Sequence, residues 1–106
     1  MGAKGIKIKV KALAKDIQKV TLNGVLDGHT SYSFSQSLIG LLRGATRKVI
    51  VDCADLTYIS SAGIGVLVRT QLRLQAAGQS LTLTNVQPRV RAVLHFAALE
   101  PFFGLE

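Results

Sequence analysis

The feature that most constrains the fold is an apolar strand pattern followed, after a polar segment, by two serines and a helical pattern. The apolar run of residues 49–51 stops at Asp52, and Ser60 and Ser61 stand at the start of the later segment. A short, wholly apolar run is typical of a central strand that is covered on both faces. We therefore predict a buried strand, a short loop and a helix in succession, which indicates an α/β domain.

The two serines have two interpretations at this predicted helix start. The first N–H groups of a helix have no intrahelical partner, and the helix dipole favours negative charge there. Hydroxyls in this position suit phosphate chemistry, so a phosphorylation switch is one hypothesis. The alternative is structural, because serine is also a preferred N-cap residue. In that case Gly63 and Gly65 serve only to let the helix pack closely on the sheet.

The first part of the chain predicts a β-hairpin. Residues 6–13 and 17–26 have the pattern of two strands joined by a tight turn at residues 14–16. Alternation in the first strand places its apolar residues on the core and its lysines on a solvated face. These residues are Ile6, Ile8 and Val10 on one side and Lys7, Lys9 and Lys11 on the other. Because alternation continues on both sides of Gly24, we expect a bulge or a close contact there.

Apolar positions at helical spacing predict three helices. Thr30 or Ser31 caps the first helix and Gly44 ends it. The second helix starts at the serines and ends at Gly78, and the third starts at Gln87-Pro88. The positions at helical spacing are, in chain order, Phe34, Leu38, Leu41 and Leu42; Ile64, Leu67, Val68, Gln71, Leu72 and Gln75; and Val90, Val93, Leu94 and Ala97.

The predicted order of elements is β-β-α-β-α-β-α with a C-terminal helix or loop at residues 99–105. A further strand at residues 81–84 lies between the second and third helices. Strands that alternate with helices predict a mixed, mostly parallel sheet of four to five strands. The opening hairpin adds one antiparallel edge strand, and we expect the helices to pack mainly on one side.

The charge of the chain does not require a nucleic-acid partner. The net charge is +7, and six of the thirteen basic residues fall within the first 19 positions. Lysines on an edge strand discourage edge-to-edge pairing, and no aromatic residues interleave with them as single-strand binding requires. No apolar stretch approaches the ~18 residues of a membrane span, so we expect no membrane insertion. The single cysteine, Cys53, fits a reducing cytoplasm.

Motifs for an enzyme are missing from the sequence. The serines lack a G-x-S-x-G elbow, Gly63-Ile64-Gly65 has no third glycine of a dinucleotide fingerprint, and there is no P-loop lysine. Asp52 and Asp55 are too few for a metal cluster, and we interpret them as a strand end and a turn residue. His29 is interpreted as a loop residue and His95 as a surface or core-edge residue. We therefore expect no catalytic residues, no metal and no cofactor.

The residues around the serines resemble a known family. Asp52 followed by Leu56-Thr57-Tyr58-Ile59-Ser60-Ser61-Ala62-Gly63-Ile64-Gly65 is similar to the signature of the STAS domain, the anti-sigma factor antagonist family. Residues 25–30 are similar to that family's second strand and the loop after it, and residues 87–103 to its third helix and tail. The resemblance implies a single STAS domain over residues 1–106.

The resemblance also implies a function, that of an anti-sigma factor antagonist acting by partner switching in a bacterial signalling system. The unphosphorylated antagonist binds a serine kinase that is itself the anti-sigma factor, and phosphorylation by that kinase releases the antagonist. A phosphatase resets the cycle. The acceptor falls on Ser61, with Ser60 as the alternative, and we expect a monomer that forms a heteromeric complex. The partner-binding residues implied are Asp27, Ser60, Ser61, Ala62, Gly63 and Ile64.

Two points leave a choice open. Many members have aspartate directly before the acceptor, where this chain has Ser60, and both residue types are good N-caps. The competing hypothesis is a domain of the same fold that is never phosphorylated. Such a domain is a scaffold or an accessory binding module in a signalling or membrane-transport complex.

Overall fold

Four strands and three helices follow one another in the predicted order. The structure is a computed structural model that describes residues 5–42 and 46–105. The elements are β1 (Ile6–Ala14), β2 (Ile17–Leu26), α1 (Thr30–Leu42), β3 (Lys48–Ile59), α2 (Ser61–Ala76), β4 (Ser80–Thr84), α3 (Pro88–Phe96) and a 3₁₀ turn (Pro101–Phe103). The β-β-α-β-α-β-α order is confirmed, and the tail contains a short helix.

The strands form one mixed sheet in the order β1-β2-β3-β4. β1 is antiparallel to β2, and the other two pairs are parallel, so the predicted antiparallel edge strand is confirmed. Val20, Val51 and Leu83 lie side by side across the sheet, and all three are buried in the core. Ile50, on the opposite face of β3, is only half-buried. The expectation that β3 is covered on both faces is therefore wrong.

β3 is longer than the sequence predicts. It continues to Ile59 instead of ending at Asp52, so the predicted loop before the serines is absent and Asp55 is a strand residue rather than a turn residue. The pairing with β2 contains two register shifts, and the buried positions of β3 change there from every second to every third residue. A pattern of strict alternation cannot detect a strand of this kind. The second shift lies at Gly24, where φ is +128°, which confirms the predicted bulge.

The hairpin buries less of β1 than predicted. Ile6 and Ile8 pack against the core, but Val10 is 47% exposed and Leu13 is 50% exposed. β1 is the edge strand, and among the described residues no further strand covers its outer side. The alternation therefore identifies the inner face of β1 correctly only in its first half.

The helices cover the sheet with faces that differ partly from the predicted ones. In α1, Phe34 and Leu38 are buried as predicted and Leu41 packs against the core, whereas Gly44 and the side chain of Leu42 lie outside the described residues. The buried face of α2 consists of Gly63, Val66, Leu67, Thr70, Gln71 and Leu74. The predicted positions Leu72 and Gln75 are exposed, which is a correction.

The end of α2 and the start of α3 agree with the prediction, whereas the end of α3 differs from it. Gly78 follows α2 with φ +74° and donates its N–H to the Gln75 carbonyl, so the predicted helix end is confirmed. Pro88 opens α3 behind the N-cap residue Gln87, also as predicted. Val90 and Leu94 are buried in α3, but Ala97 is the C-cap residue and is exposed. The stripe predicted for α3 therefore ends one turn too late.

The buried amide of Gln71 occupies the open edge of β4. Its Nε2 donates to the carbonyls of Leu81 (2.8 Å) and Phe102 (2.7 Å), and its Oε1 accepts the Leu81 N–H at 2.7 Å. The residue is only 3% exposed. One side chain of α2 thus provides the hydrogen bonds that a neighbouring strand would give, and it ties β4 to the C-terminal turn.

A carboxylate holds α3 to the C-terminal turn. Arg91 Nε donates to Glu100 Oε2 and His95 Nδ1 pairs with Glu100 Oε1, both at 2.7 Å. His95 is exposed at the surface, as predicted. The hydrogen bond from His95, followed by that from Arg91, lowers the pKa of Glu100 from its ordinary value.

The stability of the domain is expected to depend on this carboxylate at acid pH. Because the pKa of Glu100 is lower in the folded state, its contribution is present above the ordinary value of 4.5 and is lost as the pH falls through the lowered value. Thermal unfolding of the wild type and of Glu100→Gln between pH 7 and pH 3 measures this contribution. We expect the difference in Tm to be present at pH 7 and to shrink below about pH 4.5. Parallel curves for the two proteins would contradict the assignment.

Candidate functional site

The carboxyl ends of β2 and β3 bring the predicted site residues together. Leu26 and Ile59 are paired at the ends of these parallel strands, and the Ser60 N–H donates to the Leu26 carbonyl at 2.8 Å. Asp27 follows Leu26 directly, so the loop before α1 and the start of α2 lie at the same edge of the sheet. In open α/β sheets this edge is where binding sites are usually found.

Ser60 is the N-cap residue of α2. Its backbone is extended (φ −98°, ψ 173°), and its Oγ accepts the Gly63 N–H at 3.3 Å. The capping role inferred for Ser60 is therefore confirmed. Its hydroxyl oxygen is engaged with the backbone, which distinguishes it from the next serine.

Ser61 is the first residue of α2 and is exposed. Within residues 5–42 and 46–105, its hydroxyl makes no hydrogen bond. Ala62 is exposed beside it, whereas Ile64 is half-buried and packs against the core. The helix start therefore presents one unengaged hydroxyl next to a methyl group.

Gly63 fixes how α2 sits on the sheet. It is buried, and a methyl group on its Cα would lie 2.8 Å from Leu26 Cγ and 3.0 Å from the Leu26 carbonyl oxygen. Such distances leave no room for a side chain between the helix and the end of β2. Gly63 therefore shapes the predicted binding surface through the backbone and offers no side chain to a partner.

The cap of α1 is Asp27, not Thr30 or Ser31 as predicted. Asp27 Oδ1 accepts the N–H groups of His29 and Thr30, both at 2.9 Å, and the Asp27 N–H donates to Thr30 Oγ1 at 2.9 Å. This is the reciprocal arrangement of a capping box. The hydrogen bond from the Thr30 backbone is the main cause that lowers the pKa of Asp27, so the carboxylate stays ionised. Ser31 instead donates its hydroxyl to the Asp27 carbonyl at 2.6 Å.

An open cavity of about 390 Å³ lies between α1 and α2 beside Ser61. Tyr32 and Ser35 line it from α1, and Ser61, Gly65 and Arg69 line it from α2. Tyr32 is 71% exposed. Neither Tyr32 nor Arg69 was predicted as a site residue. The spacing of Ser61, Gly65 and Arg69, four residues apart, was the available signal that they share one helix face.

The described residues do not assemble an enzyme-like cluster. No group of three His, Cys, Asp or Glu side chains capable of holding a metal ion occurs among them. Cys53 is buried, and burial raises the pKa of its thiol to about 12, so the sulfur is protonated. Asp52 instead forms an ion pair with Lys19 at 3.5 Å, on the face of the sheet away from the core. In the described part of the chain, no helix has the length and apolarity needed to cross a membrane.

Fold and site together define a small α/β domain that presents a capped, hydroxyl-bearing helix start at the carboxyl edge of a mixed sheet. A family model described as "Mlab, STAS domain" matches residues 11–104. The chain belongs to the STAS domain family. This confirms the family and the fold that the signature residues indicated.

Relatives with assigned names place the chain among binding proteins rather than enzymes. It is similar to the anti-sigma-B factor antagonist of Bacillus subtilis, with 28% identity over 101 residues, which are 94% of this chain and 90% of that protein. The fold matches the anti-sigma factor antagonist SpoIIAA in its unphosphorylated form, with a TM-score of 0.81, 24% identity and coverage of 90% and 84% of the two chains. It also matches the phosphorylated form of the Bacillus cell fate determinant SpoIIAA, with a TM-score of 0.74, 23% identity and coverage of 90% and 86%.

Proposed function

We propose that this protein is an anti-sigma factor antagonist that works by partner switching. In the unphosphorylated form it binds an anti-sigma serine kinase, and phosphorylation of Ser61 releases it. The observation that carries the proposal is the contrast between the two serines: Ser60 is engaged as the cap, whereas the Ser61 hydroxyl is exposed and makes no hydrogen bond to any described residue. Support also comes from relatives named as antagonists and from SpoIIAA, which exists in both phosphorylation states.

The chemical step is a phosphoryl transfer from ATP on the kinase. A bond forms between Ser61 Oγ and the γ-phosphorus, the bond from that phosphorus to the ADP oxygen breaks, and a base on the kinase takes the hydroxyl proton. A phosphatase reverses the modification by adding water across the new bond. The product carries about −1.5 to −2 additional charge at neutral pH.

The position of Ser61 suits a switch that acts on the interface rather than on the fold. A negative charge in the first turn of a helix is favoured by the dipole by about 0.3–1 kcal/mol, so the domain tolerates the phosphate. An interface built around a neutral hydroxyl loses contact and desolvates a charge when the phosphate is present. We place this interface on Asp27, Ser60, Ser61, Ala62 and Ile64, with Gly63 setting the backbone.

The cellular setting is part of the proposal. We infer a cytoplasmic protein, monomeric when free, whose partners are the anti-sigma kinase and a phosphatase and not nucleic acid. Lys7, Lys9 and Lys11 are exposed along β1, the edge strand, where lysines discourage pairing with another strand, so they do not require a nucleic-acid partner.

Incubation with ATP and the cognate kinase tests the acceptor. We expect the intact mass to increase by one phosphate in the wild type and in Ser60→Ala, and not in Ser61→Ala. Ser60→Ala is the matched control, because it removes the neighbouring hydroxyl and costs only the cap, about 1 kcal/mol. If Ser61→Ala is still phosphorylated and Ser60→Ala is not, Ser60 is the acceptor. If every cognate kinase leaves the wild type unmodified, the protein is the non-phosphorylated scaffold or accessory module.

A further inference from the structure

The side chain of Arg69 lies along α2 toward Ser61. A methyl group on Gly65 would lie 3.2 Å from Arg69 Nη1 and 3.9 Å from Cζ and Nη2, so the guanidinium covers the Cα of a residue one turn earlier. Helical side chains lean toward the N-terminus, and residues four apart lie one above the other. Arg69 and Ser61 are about two helical turns apart, and the guanidinium lies one turn closer to Ser61 than the Arg69 backbone does.

Arg69 and Ser61 share one cavity. Both line the opening between α1 and α2, and Arg69 is the charged side chain among the described residues that line it. In the part of the chain that the structure describes, Arg69 forms no ion pair. Its guanidinium is therefore available to an anion that enters the cavity from the Ser61 side.

We propose that Arg69 is the intramolecular partner of a phosphate on Ser61. This rests on the proposed function, since it assigns the group that receives the phosphate once Ser61 is modified. Four residues of helix rise about 6 Å, so the guanidinium over Gly65 lies about one turn from Ser61, and the arginine side chain extends in the direction of a phosphate on Ser61 Oγ. A guanidinium pairs with two phosphate oxygens at once, which fixes the phosphate in one orientation.

Gly65 leaves space on the helix surface for the contact between Arg69 and a phosphate on Ser61. A side chain at position 65 would stand between the guanidinium and Ser61, on the same helix face. With glycine there, position 65 places no side chain on that part of the helix surface. The pairing also changes the charge of this surface in two ways. The phosphate adds negative charge, and the positive charge of Arg69 is neutralised.

Phosphorus NMR on the full chain carrying genetically encoded phosphoserine at position 61 tests the pairing. The pKa of the phosphate, ordinarily about 6, reports a nearby cation directly. We expect it to be about one unit lower in the wild type than in Arg69→Gln, a tenfold change in proton affinity. Arg69→Lys keeps the charge but loses the two-pronged geometry, and we expect an intermediate value.

Arg73→Gln is the matched control, because it removes the same charge one turn further from Ser61. We expect it to leave the phosphate pKa within a few tenths of a unit of the wild-type value. Equal pKa values in the wild type and Arg69→Gln would overturn the proposal, as would an equal effect of Arg73→Gln. Because the phosphoserine is encoded rather than added by a kinase, failure here is distinct from failure of a kinase to modify Ser61.

Discussion

Ser61→Asp is expected to weaken binding to the anti-sigma kinase more than a hundredfold, whereas Ser61→Ala is expected to keep it. The alanine removes a hydroxyl that has no partner among the described residues, so the contact surface is nearly unchanged. The aspartate places a charge where the interface meets a neutral group. A loss of only about 3 kcal/mol is enough for a hundredfold change in Kd.

Isothermal titration calorimetry with the kinase measures both affinities, and thermal unfolding measures both stabilities. Ser33→Asp is the matched control: Ser33 is exposed near the start of α1, so it adds the same charge at a helix start outside the proposed surface. We expect Ser33→Asp to bind within a few-fold of the wild type. The charge-switch mechanism is wrong if Ser61→Asp binds as well as Ser61→Ala, or if its weaker binding is accompanied by unfolding.

Gln71→Leu is expected to reduce the free energy of unfolding by about 2 to 4 kcal/mol. The substitution removes three hydrogen bonds, two to Leu81 and one to Phe102. It leaves the buried N–H and carbonyl of Leu81 without their partner, and each unsatisfied group costs about 1–3 kcal/mol. Burial of the leucine side chain offsets part of this cost.

Urea unfolding of Gln71→Leu and Gln75→Leu isolates the role of the amide. Gln75 lies on the same helix one turn later and is exposed, so the same chemical change there is expected to cost less than about 0.5 kcal/mol. If the two variants lose similar stability, the cost comes from leucine in the helix and not from the open edge of β4.

The order of the elements was predictable because burial on one face repeats along each element. The hairpin, the mixed sheet and the starts of α2 and α3 all follow from that repetition. β3 escaped prediction beyond Asp52 because two register shifts change its period. The face of α2 was predicted in part: Gln71 is buried as predicted, whereas Leu72 and Gln75 are exposed. Thr70 was not among the predicted positions because a buried polar residue does not add to an apolar pattern. Thr70 Oγ1 donates to the Val66 carbonyl, and Gln71 serves the sheet edge.

The candidate site was predictable in part. The sequence alone shows two serines before a helical pattern, and it also predicts that a serine caps the helix. The cap of α1 was assigned to Thr30 or Ser31, whereas Asp27 provides it, because only the folded loop shows which side chain accepts the backbone N–H groups. Arg69 was missed because its relation to Ser61 depends on the direction of a long side chain.

Two kinds of residue lie at the start of α2: residues that pack the helix on the sheet and residues that are exposed. Leu26 and Gly63 hold the helix against the sheet, and neither offers an exposed side chain at the surface. Ser61 and Ala62 are exposed and belong to the surface that we propose a partner contacts. On this proposal, we expect substitutions in the second pair to change which protein binds without changing how the helix packs. If a cell holds several domains of this kind, the proposed surface predicts that a few exposed side chains are enough to separate their partners while the packing of the helix stays the same.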